Sequence, residues 1–220
     1  MKHKNVLVLG ASGATGQRVV QMALDRGHTV TALVRSKEGI EERDGLNLIQ
    51  GDVSNTATIE GAVDGKDAVL SCLGIRRKSA SNPWTTLISP INFTASCAPG
   101  IVNAMKKHGV ARLIAISAAG AGDSWDRTDS ILRFLFRVSK LSVTLDDSGN
   151  MEKAFGNSGL DSLVVRPARL VDGQPTDRAG ILDRCTMSSK ISRSDVAGWM
   201  LATLERSEPF GSRSEMIGWR

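Results

Sequence analysis

Apolar, β-branched runs recur along this chain at residues 6–9, 29–34, 46–50, 68–72, 112–117 and 162–166. Stretches with helical spacing lie between them. Short unbroken apolar runs are what strands look like when both faces of a sheet are covered, and their alternation with helices is what a parallel sheet requires. Residues 14–26 place Val19, Val20, Ala23 and Leu24 on one helical face, and residues 99–108 form a second helix with Pro99 suited to its first turn. Gly27 and Gly109 read as helix stops. Residues 151–157 lead into the last run as a helix, and residues 193–205 make a final one with Ser192 as its N-cap. The pattern predicts an α/β fold, a doubly wound parallel sheet flanked by helices, with residues 1–220 as one domain.

Two stretches resist this scheme. Residues 76–96 hold Pro83, Pro90 and many small polar residues, and residues 123–142 mix Ile131, Leu132, Phe134, Leu135, Val138 and Leu141 with Arg133, Arg137 and Lys140. Both follow expected strands, at the carboxyl edge where an open α/β sheet binds its ligand, and together with 168–190 they form the expected substrate side. Residues 123–142 read as a surface helix with its basic face in water, with a lid or a dimer contact as alternatives. Trp84 and Trp125 sit in these stretches, as substrate contacts or as core.

Composition narrows the classes. A hydrophobic fraction of 41% and a charged fraction of 23% are those of an ordinary soluble domain. The net charge of +5 is scattered over clusters such as Arg76, Arg77, Lys78 and Lys106, Lys107, His108 without interleaved aromatics, so they read as solvated faces and no nucleic-acid partner is expected. Cys72, Cys97 and Cys185 are widely separated, which argues against a disulfide framework and a metal site and for a reducing cytoplasm. The apolar run at 6–9 is far too short for a signal peptide or a membrane span, so no membrane association is expected.

The chemistry begins at the first strand, which breaks into Gly10, Ala11, Ser12, Gly13, Ala14, Thr15, Gly16 and opens a helix. Glycines permit a tight turn and let backbone approach a pyrophosphate, while the helix N-terminus presents unpaired N–H groups and the positive end of its dipole. The expectation is a Rossmann-type dinucleotide site with Gly10, Ser12, Gly13, Ala14, Thr15 and Gly16 against the phosphates. At the end of the second strand stand Arg35, Ser36 and Lys37, where NAD-binding proteins usually place a carboxylate; cations there favour a 2′-phosphate, hence NADP over NAD. Asp52, with Val53 beside it, is placed to meet the adenine amino group, and Cys72, Leu73 and Gly74 let the chain pass close to the cofactor.

These signatures, with Ser158-Gly159-Leu160, Arg166-Pro167, Asp172-Gly173-Gln174-Pro175 and Ile191-Ser192-Arg193-Ser194-Asp195-Val196, occur in an order that resembles the atypical short-chain dehydrogenases/reductases. Within them the chain is similar to the NAD(P)H-binding group of NmrA-like proteins and biliverdin-IXβ (flavin) reductases. The resemblance implies a nicotinamide lying between the end of the fifth strand, at Ser117, and the segment Pro167, Ala168, Arg169, Leu170. Relatives carry two consecutive hydroxyl residues where this chain has Ser117 and Ala118, and biliverdin-IXβ reductase carries a histidine where Arg169 stands.

The sequence contains no tyrosine, which excludes the tyrosine–lysine proton donor of ordinary short-chain dehydrogenases. Lys153 lies on the corresponding stretch, but Gly149 stands four residues before it, and Glu152 and Lys153 read as surface helix charges. The expected activity is an NADPH-dependent reductase that passes hydride to a conjugated flavin, bilin or quinone-like acceptor, with solvent supplying the proton. Ser117 and Arg169 are the catalytic candidates, Arg169 to hold an acidic substrate group. A non-catalytic NADP(H)-sensing protein of NmrA-like type and a biosynthetic isomerase or cyclase remain alternatives, and the chain is expected to be a monomer or homodimer.

Overall fold

A computed structural model describes residues 3–79 and 82–220; Ala80 and Ser81, inside the irregular stretch 76–96, lie outside the described residues. The elements run β1 (Asn5–Leu9), α1 (Ala14–Asp25), β2 (Thr29–Val34), β3 (Leu46–Gln50), α2 (Thr56–Val63), β4 (Ala68–Ser71), α3 (Phe93–Lys107) and β5 (Arg112–Ile116). After a 3₁₀ turn (Gly122–Trp125) come α4 (Ser130–Val138), α5 (Leu141–Gly156), β6 (Asp161–Pro167), β7 (Arg169–Val171), β8 (Ala179–Ile181), β9 (Lys190–Ser192), α6 (Arg193–Leu204) and β10 (Arg213–Trp219).

The main sheet has eight strands in the order β3-β2-β1-β4-β5-β6-β10-β8. Its strands pair in parallel except β8, which runs antiparallel to β10. This is the doubly wound Rossmann-type sheet that the alternation predicts. Along β1, Val6 and Val8 join a core with Val19 and Ala23 of α1 and Val196 and Met200 of α6. Leu7 and Leu9 face the opposite core, with Ile59 of α2, Ile101 and Met105 of α3, and Met151 and Phe155 of α5. With an apolar layer on each face, the four buried positions of β1 after Asn5 are all apolar, which is why residues 6–9 read as an unbroken run.

Several boundaries differ from expectation, each for a tertiary reason. Helix α3 starts at Phe93, leaving Pro99 inside it. Its free N-terminal groups are satisfied by buried Asp147 of α5, which accepts from Thr94 N (3.1 Å), Thr94 Oγ1 (2.6 Å) and Ala95 N (2.9 Å). The helix expected at 151–157 is the second half of α5, which begins at Leu141. Strand β10 escapes the apolar-run criterion because its first residues are Arg213, Ser214 and Glu215; it takes its place by pairing β6 on one side and β8 on the other. Within 123–142, α4 lies at the surface and exposes Ile131, Phe134 and Val138 in addition to Arg137. Among the described residues, no helix is long and apolar enough to cross a membrane.

Candidate functional site

Parallel register brings the expected site residues to one edge. Leu9 lies beside Leu33 and Ser71, Ser71 beside Ala115, and Ala115 beside Val164. Gly10, Arg35, Cys72, Ser117 and Pro167 therefore all leave the sheet on the same side. The strand order reverses direction at β1, between β2 and β4, and such a switch point is where an open α/β sheet has its binding crevice.

At that point the glycines answer to packing. Gly10 has φ +73°, and a Cβ on it would lie 2.6 Å from the Cys72 carbonyl oxygen. A Cβ on Gly16 would lie 2.2 Å from the Gly10 carbonyl oxygen, so the first turn of α1 seats directly on the turn before it. Gly13 is the N-cap of α1 and contributes no side-chain cap; the first turn also has no acidic residue. Ser12, Gly13 and Ala14 are exposed, and Thr15 is half-buried. An exposed helix N-terminus with uncapped N–H groups, beside two loops in backbone contact, fits a diphosphate in both charge and space.

Arg35, Ser36 and Lys37 are exposed beyond β2. Asp52 accepts from Ser54 Oγ (2.7 Å) and Ser54 N (2.8 Å). These bonds hold its carboxyl below the usual carboxylate range, with a smaller contribution from the Arg35 charge. Val53 and Leu73 pack against the α3 core, and Gly74 is exposed. Cys72 is half-buried, and burial pushes its thiol up to about 12.

Beyond the end of β5 the pairing continues: Ser117 N donates to Val165 O (2.8 Å) and Ala119 N to Pro167 O (3.0 Å). The hydroxyl of buried Ser117 donates to Glu152 Oε1. Glu152, expected to be a surface charge, is instead one of the most enclosed carboxylates of the site, its side chain 9% exposed against Arg166 at 4%. Arg166 Nε donates to both Glu152 oxygens (3.0 and 3.2 Å), and its Nη2 reaches Glu152 Oε2 and Asp123 Oδ1, both at 2.5 Å. Burial works against the Arg166 charge, but the two carboxylates outweigh it; in return Arg166 holds Asp123 below the usual range. Gly122, at φ +54°, closes over the cluster, where a Cβ would come within 2.9 Å of Glu152 Oε2. A cavity of about 250 Å³ runs from Asp123, Glu152 and Arg166 past Ser162 to Arg213. Helical spacing makes Glu152 and Lys153 look alike; only the strand opposite separates the ion-paired, largely enclosed acid from the exposed base. Arg169 is exposed at the start of β7, whose partner is β9, so its side chain is not part of this cluster.

Residues 10–207 match the model of a family described as NAD(P)H-binding. The chain belongs to that family. An uncharacterized chloroplastic protein of Arabidopsis thaliana is 28% identical over 217 residues, covering 94% of this chain and 74% of its own length. The divinyl chlorophyllide a 8-vinyl-reductase of the same plant is 30% identical over 131 residues, covering 53% of this chain and 30% of the reductase. Among solved structures, a short-chain dehydrogenase/reductase from Veillonella parvula in complex with NADP superposes with TM-score 0.79 at 18% identity, covering 98% of this chain and 94% of that one. An anaerobilin reductase from Escherichia coli O157:H7 superposes with TM-score 0.74 at 18% identity, covering 98% and 97%. The atypical short-chain dehydrogenase/reductase resemblance thus agrees with both family and fold.

Proposed function

We propose that this member of the NAD(P)H-binding family is an oxidoreductase that uses NADPH to reduce a conjugated acceptor of flavin, bilin or quinone type. The observation that carries the reading is the Ser117–Glu152–Arg166 cluster at the crevice edge, in a chain that has no tyrosine. The dinucleotide supplies the hydride when bound. Uncapped N–H groups of α1 would hold its phosphates, Arg35 and Lys37 a 2′-phosphate, and Asp52 its adenine through Oδ2. The Ser117 proton is committed to a carboxylate that is itself ion-paired to Arg166, so toward the crevice the hydroxyl offers only acceptor lone pairs. Ser117 therefore orients an amide such as the carboxamide of the cofactor and does not protonate the product. Solvent supplies that proton, which suits an acceptor able to delocalise the charge it receives. Arg169, exposed at the start of β7, would hold an acidic group of the substrate.

A divinyl chlorophyllide a 8-vinyl-reductase among the relatives and an anaerobilin reductase among the structural neighbours support this acceptor class. The test is to follow nicotinamide absorbance while purified protein meets NADPH with flavin mononucleotide, a bilin and a panel of quinones. Oxidation dependent on one acceptor class supports the proposal; tight NADPH binding with no turnover of any acceptor overturns it in favour of a sensor. Arg35→Ala should weaken NADP by roughly 1.5–3 kcal/mol and leave NAD nearly unchanged if a charge-assisted bond to the 2′-phosphate is lost. Equal losses for both dinucleotides would refute the preference for NADP.

A further inference from the structure

Most large apolar side chains left exposed among the described residues come from two segments. Trp84 (58%), Ile88 (59%) and Ile91 (65%) follow β4, while Ile131 (69%), Phe134 (67%) and Val138 (48%) lie along α4. The two segments are joined. Trp84 Nε1 donates to Val138 O (3.0 Å), and Lys140 N donates to Pro83 O (2.9 Å). The first segment is folded back on itself by Ile88 N to Arg76 O (2.7 Å) and Lys78 N to Thr86 O (3.0 Å). Met187, also exposed, is fastened to the start of α4 through its amide and Asp129 Oδ2 (3.1 Å). On α4 the exposed positions Ile131, Phe134 and Val138 recur at helical spacing, so one face of a well-formed, side-chain-capped helix is apolar and in water. Isolated exposed apolar residues need no explanation, whereas a joined set of this size does.

Charge says what covers it. Arg76, Lys78, Arg137 and Lys140 of these segments are exposed, Arg137 with its guanidinium over the Trp125 ring (5.4 Å). Residues 76–122 contain no Asp or Glu, and neither do residues 130–145. The acids near the start of α4 are engaged: Asp129 caps the helix through Leu132 N (2.7 Å), and Asp126 lies 3.9 Å from Arg133. A second copy of the chain docked here by a two-fold axis would set these cations against themselves. An anionic lipid surface complements both components at once, taking a tryptophan and an amphipathic helix face into the headgroup boundary while cations meet phosphates.

We propose that α4 and the segment around Trp84 form a peripheral membrane-binding face selective for anionic lipid. This departs from the sequence expectation that no membrane is involved. Both segments leave the carboxyl edge of the sheet, after β4 and after β5, so the face lies beside the crevice. An acceptor dissolved in the bilayer would then enter without crossing water; that consequence rests on the reductase reading, whereas lipid binding does not.

The test is co-sedimentation of the full chain with phosphatidylcholine vesicles, with and without phosphatidylglycerol. Binding is expected only where phosphatidylglycerol is present, and it should weaken as salt rises. Ile131→Ser with Phe134→Ser should abolish it, and Arg137→Ala with Lys140→Ala should weaken it about 30-fold, from roughly one kcal/mol per cation. All of these positions are exposed, so both variants should fold and keep wild-type NADPH affinity, the second giving up within the fold the contact of Arg137 over the Trp125 ring (5.4 Å), whatever the turnover assay shows. No sedimentation with either vesicle, binding unaltered in both variants, or a concentration-dependent dimer dissolved by the Ile131/Phe134 variant would overturn the proposal.

Discussion

Glu152→Ala isolates the buried cluster. In the native chain the Arg166 guanidinium, 4% exposed, is neutralised by Glu152, 9% exposed, and by Asp123, which is 78% exposed. Removing Glu152 leaves Arg166 enclosed with one solvated partner, and it takes away the acceptor of the Ser117 proton. Breaking a buried ion pair from one side costs about 3–5 kcal/mol, because the remaining charge keeps its desolvation penalty. With Asp123 still within 2.5 Å, the expected loss is near the lower end, about 3 kcal/mol. For a domain of this size that is a fall in Tm of about 6–12 °C. Urea unfolding followed by circular dichroism reads the loss directly. Asp123→Ala, which removes only the solvated partner, should cost less than about 1 kcal/mol. Glu152→Met combined with Arg166→Met should recover most of the loss, since no unpaired charge then remains buried. A loss for Glu152→Ala no greater than that of Asp123→Ala would refute the assignment of Glu152 as the counter-ion.

Three further outcomes are expected. Gly16→Ala, despite its better helix propensity, should lose about 1–3 kcal/mol and most dinucleotide affinity, because its Cβ would meet the Gly10 carbonyl at 2.2 Å; denaturant unfolding and calorimetry measure the two effects. Burial pushes the Asp195 carboxyl up, but bonds from Trp219, Thr176 and Ser192 outweigh it and leave it below the ordinary 3.8. A depressed folded-state value stabilises the fold above the unfolded-state value, and that contribution is lost as pH falls through the folded one, so Asp195→Asn should destabilise at neutral pH and converge on wild type as acid protonates the native carboxyl. Burial pushes Cys72 up to about 12 and Cys97 to about 11, and raises Cys185 as well, so an aromatic disulfide reagent at pH 8 should label no thiol rapidly in the native chain and all three after denaturation.

Local pattern was enough for the sheet's central strands and for the glycine turn. A strand stretch covered on both faces must be apolar, as Val6 to Leu9 of β1 are, and a turn at φ +73° pressed against a neighbouring carbonyl is built most easily from glycine, as at Gly10. Those requirements act over a few adjacent residues, so they are written in adjacent residues. Tertiary structure decided what depends on partners distant in sequence. Asp147 lengthens α3 across 52 and 53 residues of separation, β6 and β8 recruit the polar-starting β10, and Arg166 turns Glu152 from a surface charge into the buried partner of Ser117. It also left the apolar side of α4 in water, since the same heptad-like spacing serves equally to face a core or a bilayer. Helical periodicity says that a face exists; only the packed chain says what that face meets.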